Sequence, residues 1–237
     1  GSGRLDMLRL PPTSSVVRLD SGVVEGDEVT VHYDPMIAKL IVHAADRPAA
    51  LARLRLALAQ TVVVGPKSNV EFLERLIRHP AVVEASIDTG YLDRHLDEVM
   101  SVDNELPQEV LLAIAVRALL DEEAVAAARG RTGADPHSPW ALADGWRHGH
   151  PGKRLKHLLH RDALIEVAAH GHAGDYSLCL GATRLEVRGA RASAESVDFL
   201  FGERAVRLRV TALPNGYLAF AGERRYTLSL RHPYAFE

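Results

Sequence analysis

The chain has 237 residues, 47% apolar and 25% charged, with a formal net charge of -3 and a sequence pI near 6.5. That is room for one large or two small globular domains, without the basic surplus of a nucleic-acid reader. One cysteine, Cys179, excludes an internal disulfide and a cysteine-rich zinc site, and no apolar run approaches the roughly 18 residues of a membrane span.

Gly1-Ser2-Gly3 reads as a cloning scar ahead of an excised piece that starts at Arg4. Residues 4–100 read as mixed α and β. Val16 to Asp20 is a strand, and Gly22 turns the chain. Asp34-Pro35 is an extended or turn pair, and Met36 to Ala44 is apolar enough for a buried strand. Asp46 is placed to cap a helix with Pro48 in its first turn, running to about Gln60 with Leu51, Leu54 and Leu58 on its inner face. Thr61 to Val64 is β-branched and stops at Gly65-Pro66. Ser68 or Asn69 caps a second helix, with Val70, Leu73, Leu76 and Ile77 inward, closed by His79-Pro80.

Residues 101–237 read as a second domain. Leu106 to Arg129 is a long helix with apolar residues on nearly every face, from Val110 through Leu120. A helix apolar all round must be buried all round. Only the segment after it is large enough to wrap it. A polar loop, Gly130 to Pro139, follows. From residue 140 to 232 about eight short runs alternate apolar with polar: Leu155–Leu159, Leu164–Ala169, Tyr176–Leu180, Arg184–Arg188, Ser196–Phe201, Arg204–Thr211, Tyr217–Ala221 and Arg225–Leu230. Turn residues separate them, among them Gly171, Gly174, Gly189 and Pro214-Asn215-Gly216. The fold class is therefore α+β, with an antiparallel up-and-down barrel closed around the helix. Helix residues Leu112, Val116 and Leu119 should be buried with Val167, Leu185 and Leu208 of the barrel. Cys179 reads as a small core residue; its lone thiol fits a reducing cytoplasm. The cluster Lys153-Arg154-Leu155-Lys156-His157 has apolar residues interleaved and reads as one solvated strand face.

Two ordered sets of motifs carry family resemblances. Arg18, then Tyr33-Asp34-Pro35-Met36-Ile37-Ala38-Lys39-Leu40-Ile41, then Gly65-Pro66-Lys67-Ser68-Asn69, then Thr89-Gly90-Tyr91-Leu92 resemble the end of the C-terminal subdomain of biotin carboxylase. The resemblance implies that Arg18, sixteen residues before Asp34, stabilises the biotin enolate in the complete enzyme. Arginine suits that role because its charge does not titrate. Biotin, ATP, Mg2+ and bicarbonate are the cofactors and substrates the resemblance implies for that enzyme, and none is expected to bind this piece alone. No Gly-rich phosphate loop occurs. No Ala-Met-Lys-Met attachment motif occurs either, so Lys39 is not a biotinyl lysine.

Asp135-Pro136-His137-Ser138-Pro139-Trp140 and Asp144-Gly145-Trp146-Arg147 resemble the segment that opens the BT domain of methylcrotonyl-CoA carboxylase alpha subunits; geranyl-CoA and other acyl-CoA carboxylases are similar. The resemblance implies a domain that connects biotin carboxylase to the biotin carrier domain of the same chain and to the carboxyltransferase (beta) subunit. The expected contact is the loop after the helix, with Arg131, Thr132, Asp135 and His137 as candidate partner-binding residues. Trp140 and Trp146 read as core packing. Twelve histidines include the pairs His148/His150, His157/His160 and His170/His172, none at a zinc-ligand spacing with cysteines or carboxylates. His170-Gly171-His172 reads as a solvated hairpin turn. The rival from another class is a freestanding barrel for a small ligand, which a helix in the lumen would plug.

Overall fold

The structure, a computed structural model, describes residues 2–30, 32, 36–100, 105–132, 152–222 and 224–231. The chain divides into two compact units, residues 1–105 and 106–237.

In the first unit, three two-stranded antiparallel ladders accompany a small helical layer. Strand β1 (Gly3–Arg4) pairs with β4 (Glu28–Val29), β2 (Met7–Arg9) with β6 (Val62–Val64), and β3 (Val17–Ser21) with β5 (Ala38–Val42). The helices are α1 (Arg47–Gln60), α2 (Val70–Leu76), α3 (Pro80–Val83) and α4 (Tyr91–Met100). Asp46 caps α1, its side chain accepting from the Ala49 amide at 2.8 Å, which satisfies one of the orphan donors of the first turn. Asn69 precedes α2 without a side-chain cap, and His79 caps α3 by accepting from the Ala81 amide. Leu58, Val70 and Ile77 form the core of this layer, with Leu40, Leu51, Leu54 and Leu73 against it.

Strand β5 is shorter than the expected run and only half buried, with Met36 and Ile41 exposed. Its sole ladder partner among the described residues is β3. At Gly65, φ is 120° and a Cβ would lie 1.9 Å from the Arg4 carbonyl oxygen; only glycine fits this stop.

In the second unit, helix α5 (Gln108–Thr132) precedes eight strands: β7 (Arg154–His160), β8 (Ala163–His172), β9 (Asp175–Leu180), β10 (Thr183–Ala192), β11 (Ser196–Phe201), β12 (Arg204–Leu213), β13 (Gly216–Ala221) and β14 (Arg224–Arg231). Successive strands pair antiparallel, and β14 returns to β7 through Leu230↔Leu158, closing the barrel. All eight expected runs are strands. Inward residues of the wall share one core with the first half of α5. From Val110 to Leu119 no residue is more than 8% exposed, and Leu112, Val116 and Leu119 pack with Val167, Leu185 and Leu208. The helix is threaded through the barrel. An eight-stranded barrel ordinarily has room only for its own side chains. Here Ala169, Ala190, Ala219 and Ala221 face inward, and the helix contributes Ala113, Ala115 and Ala118. Small side chains on both partners make the space.

Four expectations need correction. The helix expected to be buried all round from Leu106 to Arg129 is so only along its apolar stretch, and most of it beyond Glu123 is exposed. Gly130 is helical rather than the start of a loop; Arg129 and Arg131 in the last turn favour the helix there, since cations offset its C-terminal dipole. His170-Gly171-His172 ends β8, and the turn is Ala173-Gly174, both at positive φ. A Cβ at Gly171 would stand 2.2 Å from the Asp175 carbonyl oxygen, so this glycine serves a close approach within the ladder. Cys179 is only partly buried, because it alternates with the inward Leu178 and Leu180.

Candidate functional site

The first candidate site lies on the β3–β5 ladder. Arg18 faces away from the half-buried residues of β3, and its side chain is 72% exposed. Its Nε donates to Asp20 Oδ1 at 2.9 Å, and Asp20 sits opposite Lys39 in the ladder. The Arg18 hydrogen bond, with smaller help from the Arg18 and Lys39 charges, holds the Asp20 carboxyl below its usual range. The same bond raises the Arg18 guanidinium. Arg18 therefore stays charged with its head toward solvent. Asp34, which sets the motif spacing, lies outside the described residues together with Tyr33 and Pro35.

The second site is the mouth where α5 leaves the barrel. Arg117 Nε donates to Asp121 Oδ1 and Oδ2 at 2.8 and 3.0 Å, and its Nη1 donates to the carbonyls of Ser193 and Val210 at 3.0 and 3.1 Å. Tyr217 OH donates to Asp121 Oδ2 at 2.9 Å. Glu123 Oε1 accepts from Arg154 Nη2 at 2.8 Å and from Tyr176 OH at 3.0 Å, while Oε2 accepts from the Ala173 amide at 3.0 Å. Arg154 Nη2 also donates to the Gly171 carbonyl at 2.8 Å. Lys156 Nζ donates to Glu122 Oε2 at 2.8 Å.

Three cations thus meet three carboxylates in a neutral collar. The basic cluster on β7 is not a solvated face: Arg154 is buried, and Lys156 points at the helix. The inward parity of β7, set by Leu158, forces this. Only Arg154–Glu123 is largely buried on both sides, at 5% and 19% side-chain exposure; removing one member of a buried pair typically costs roughly 3–5 kcal/mol, because the other charge is stranded. The sequence signal missed was Asp121-Glu122-Glu123, placed where the helix stops being apolar.

Residues 107–233 match the family model described as the methylcrotonyl-CoA carboxylase alpha-subunit BT domain. The chain belongs to this family. Ahead of the BT domain, residues 1–94 match the biotin carboxylase C-terminal domain. The methylcrotonoyl-CoA carboxylase subunit alpha, mitochondrial, of Rattus norvegicus is 37% identical over 201 residues, which is 84% of this chain and 28% of that protein. Its counterpart in Dictyostelium discoideum is 35% identical over 167 residues, 70% of this chain and 23% of that protein. The propionyl-CoA carboxylase alpha chain of Ruegeria pomeroyi is 36% identical over 108 residues, 46% of this chain and 16% of that protein. The chain therefore spans about a quarter of the length of the two methylcrotonoyl-CoA carboxylase relatives.

In this BT domain, Arg131 is exposed at the end of α5 and Thr132 is its last helical residue. Asp135, His137, Trp140, Trp146, His148 and His150 lie outside the described residues. Among the described residues, no three His, Cys, Asp or Glu side chains gather as metal ligands do, and no helix is long and apolar enough to cross a membrane. His170 Nδ1 lies 2.7 Å from the Gly152 carbonyl, and His157 faces Glu166.

The collar makes the BT domain sensitive to alkali. Burial first, and then the Glu123 charge, pushes the Tyr176 phenol well above its ordinary range; burial first, and then the Asp121 charge, does the same to Tyr217. A raised folded-state value leaves stability intact below the unfolded tyrosine value of about 10, and stability falls above it as the unfolded chain ionises. Urea unfolding at rising pH should show this decline beginning near pH 10, and Tyr176→Phe/Tyr217→Phe should flatten it. Equal alkaline slopes for both proteins would refute the assignment.

Proposed function

We propose that the chain is the connector part of the alpha subunit of a biotin-dependent acyl-CoA carboxylase of the methylcrotonyl-CoA type. It links biotin carboxylase and the biotin carrier domain of the same chain to the carboxyltransferase (beta) subunit. The observation that carries this reading is a BT-domain barrel whose lumen is filled by its own helix. A filled barrel leaves its surface and loops for partners, and disfavours the freestanding ligand-binding barrel. Geranyl-CoA or another acyl-CoA is the alternative substrate; the Ruegeria relative is named for propionyl-CoA. The complete enzyme would use ATP, Mg2+ and bicarbonate to carboxylate biotin. Within this chain, Arg18 fits the biotin enolate: an exposed guanidinium, held through Nε by Asp20, with permanent charge. The cytoplasm is the compartment read from the sequence, with the mitochondrial names of the rat and Dictyostelium relatives marking the alternative.

Arg131, Thr132, Asp135 and His137 are proposed to contact the beta subunit. Because α5 runs to Thr132, the test deletes residues 133–137 and leaves the helix whole. Co-purification with the beta subunit should weaken at least tenfold while the melting temperature holds. Unchanged affinity would remove the loop from the interface. Unchanged affinity after removal of everything from Leu106 onward in the full-length subunit would refute the docking function.

A further inference from the structure

The angular arrangement of the collar points to an indexing device. A helix apolar on every face packs passably at several rotations, so a filled lumen does not by itself choose one. Residues along an α-helix step by about 100°. If Asp121 defines zero, Glu122 stands at about 100°, Glu123 at about 200° and Arg117 at about -40°. Around an eight-membered barrel, neighbouring strands are separated by roughly 45°. Strand order runs β12-β13-β14-β7-β8-β9. Counted from β13, strand β7 therefore stands at roughly 90°, β9 at roughly 180° and β12 at roughly -45°.

The contacts follow this dial. Asp121 is held by Tyr217 of β13, Glu122 by Lys156 of β7, and Glu123 by Tyr176 of β9. Arg117 bonds the Val210 carbonyl of β12. Three consecutive side chains thus meet three walls in the same rotational sense, and two tyrosines grip the helix from opposite sides. We propose that this collar fixes the rotation and axial position of α5, and so aims its exposed half, from Ala124 to Arg131, in one direction. Turning the helix by one residue would break the Asp121–Tyr217, Glu122–Lys156, Glu123–Tyr176 and Arg117–Val210 bonds together. The Arg117–Asp121 pair within the helix, and Arg154, which lies near both Glu122 and Glu123, are free of that constraint. Polar groups at packed positions are best attested where they specify register rather than add stability, and these ring the helix where its apolar stretch ends.

Spin labels on the whole chain can read the phase. In a Cys179→Ala background, labels at Ala128→Cys and Ala182→Cys report on the exposed helix and a hairpin turn. The parent should give one narrow distance distribution. With Asp121→Ala, Glu122→Ala and Glu123→Ala combined, the barrel should keep its strand amide protection, and a second population displaced by roughly 5 Å or more should appear. Tyr176→Phe/Tyr217→Phe, which keeps every charge, should broaden the distribution less. A single narrow distance at the parental value in the folded triple variant would overturn the proposal. If the triple variant does not fold, an unchanged distribution in the tyrosine pair overturns it. Failure of both to fold also counts against it, because indexing predicts a folded but misphased barrel.

Discussion

Leu119→Asp should unfold the barrel at ordinary temperature. Leu119 is fully buried in the shared core of helix and wall. A carboxylate there has no partner in reach: Arg117 is committed to Asp121, Ser193 and Val210. Burying an unpaired ionised group and losing a packed leucine together cost at least about 4 kcal/mol, enough to unfold a domain at the low end of the usual range of about 5–15 kcal/mol. The control lies on the same helix. Val125 is 51% exposed, and Val125→Asp should shift stability by no more than about 0.5 kcal/mol. Thermal melts followed by circular dichroism compare the two. If Leu119→Asp melts within a degree or two of the parent, the threaded architecture is wrong.

Arg18→Ala should lower the rate of biotin carboxylation by roughly 100-fold or more in the full-length subunit, the usual loss when one fixed charge facing an oxyanion is removed. It should leave the fold alone. Arg18 is exposed, and surface pairs such as Arg18–Asp20 contribute little to stability. Arg18→Lys should recover part of the rate, since it restores charge without the Nε bond to Asp20. Bicarbonate-dependent ATP cleavage with free biotin gives the readout. Near-parental turnover in Arg18→Ala would refute the proposed role.

The threaded barrel was legible in the sequence because two periodicities disagreed with a surface helix. Val110 to Leu120 was apolar on every face, and eight alternating runs followed it. Strand ends were harder to place. Gly171 and Gly189 look like turn formers, yet both lie inside strands; glycine also marks close approach and bulges, as at the register shift between Arg188 and Arg191. The collar was illegible for a different reason. Acidic residues after an apolar stretch usually signal a return to solvent, and Lys153-Arg154-Leu155-Lys156 reads equally well as a solvated face. Pairing them requires knowing that β7 starts beside the helix exit, which depends on closure between the first and last strands of the barrel.

That closure has a kinetic side. The barrel is sealed by β14 against β7, so no ring exists until the last strand is made. Helix α5 precedes every strand it is enclosed by. During synthesis it emerges first, an apolar helix with no wall, and waits while about a hundred residues follow at roughly 5–20 residues per second. Contacts between distant parts of the chain are slow to form because loop closure must come first. For those seconds the helix is the stickiest exposed surface of the nascent chain, and chaperone demand or aggregation on overexpression should concentrate there.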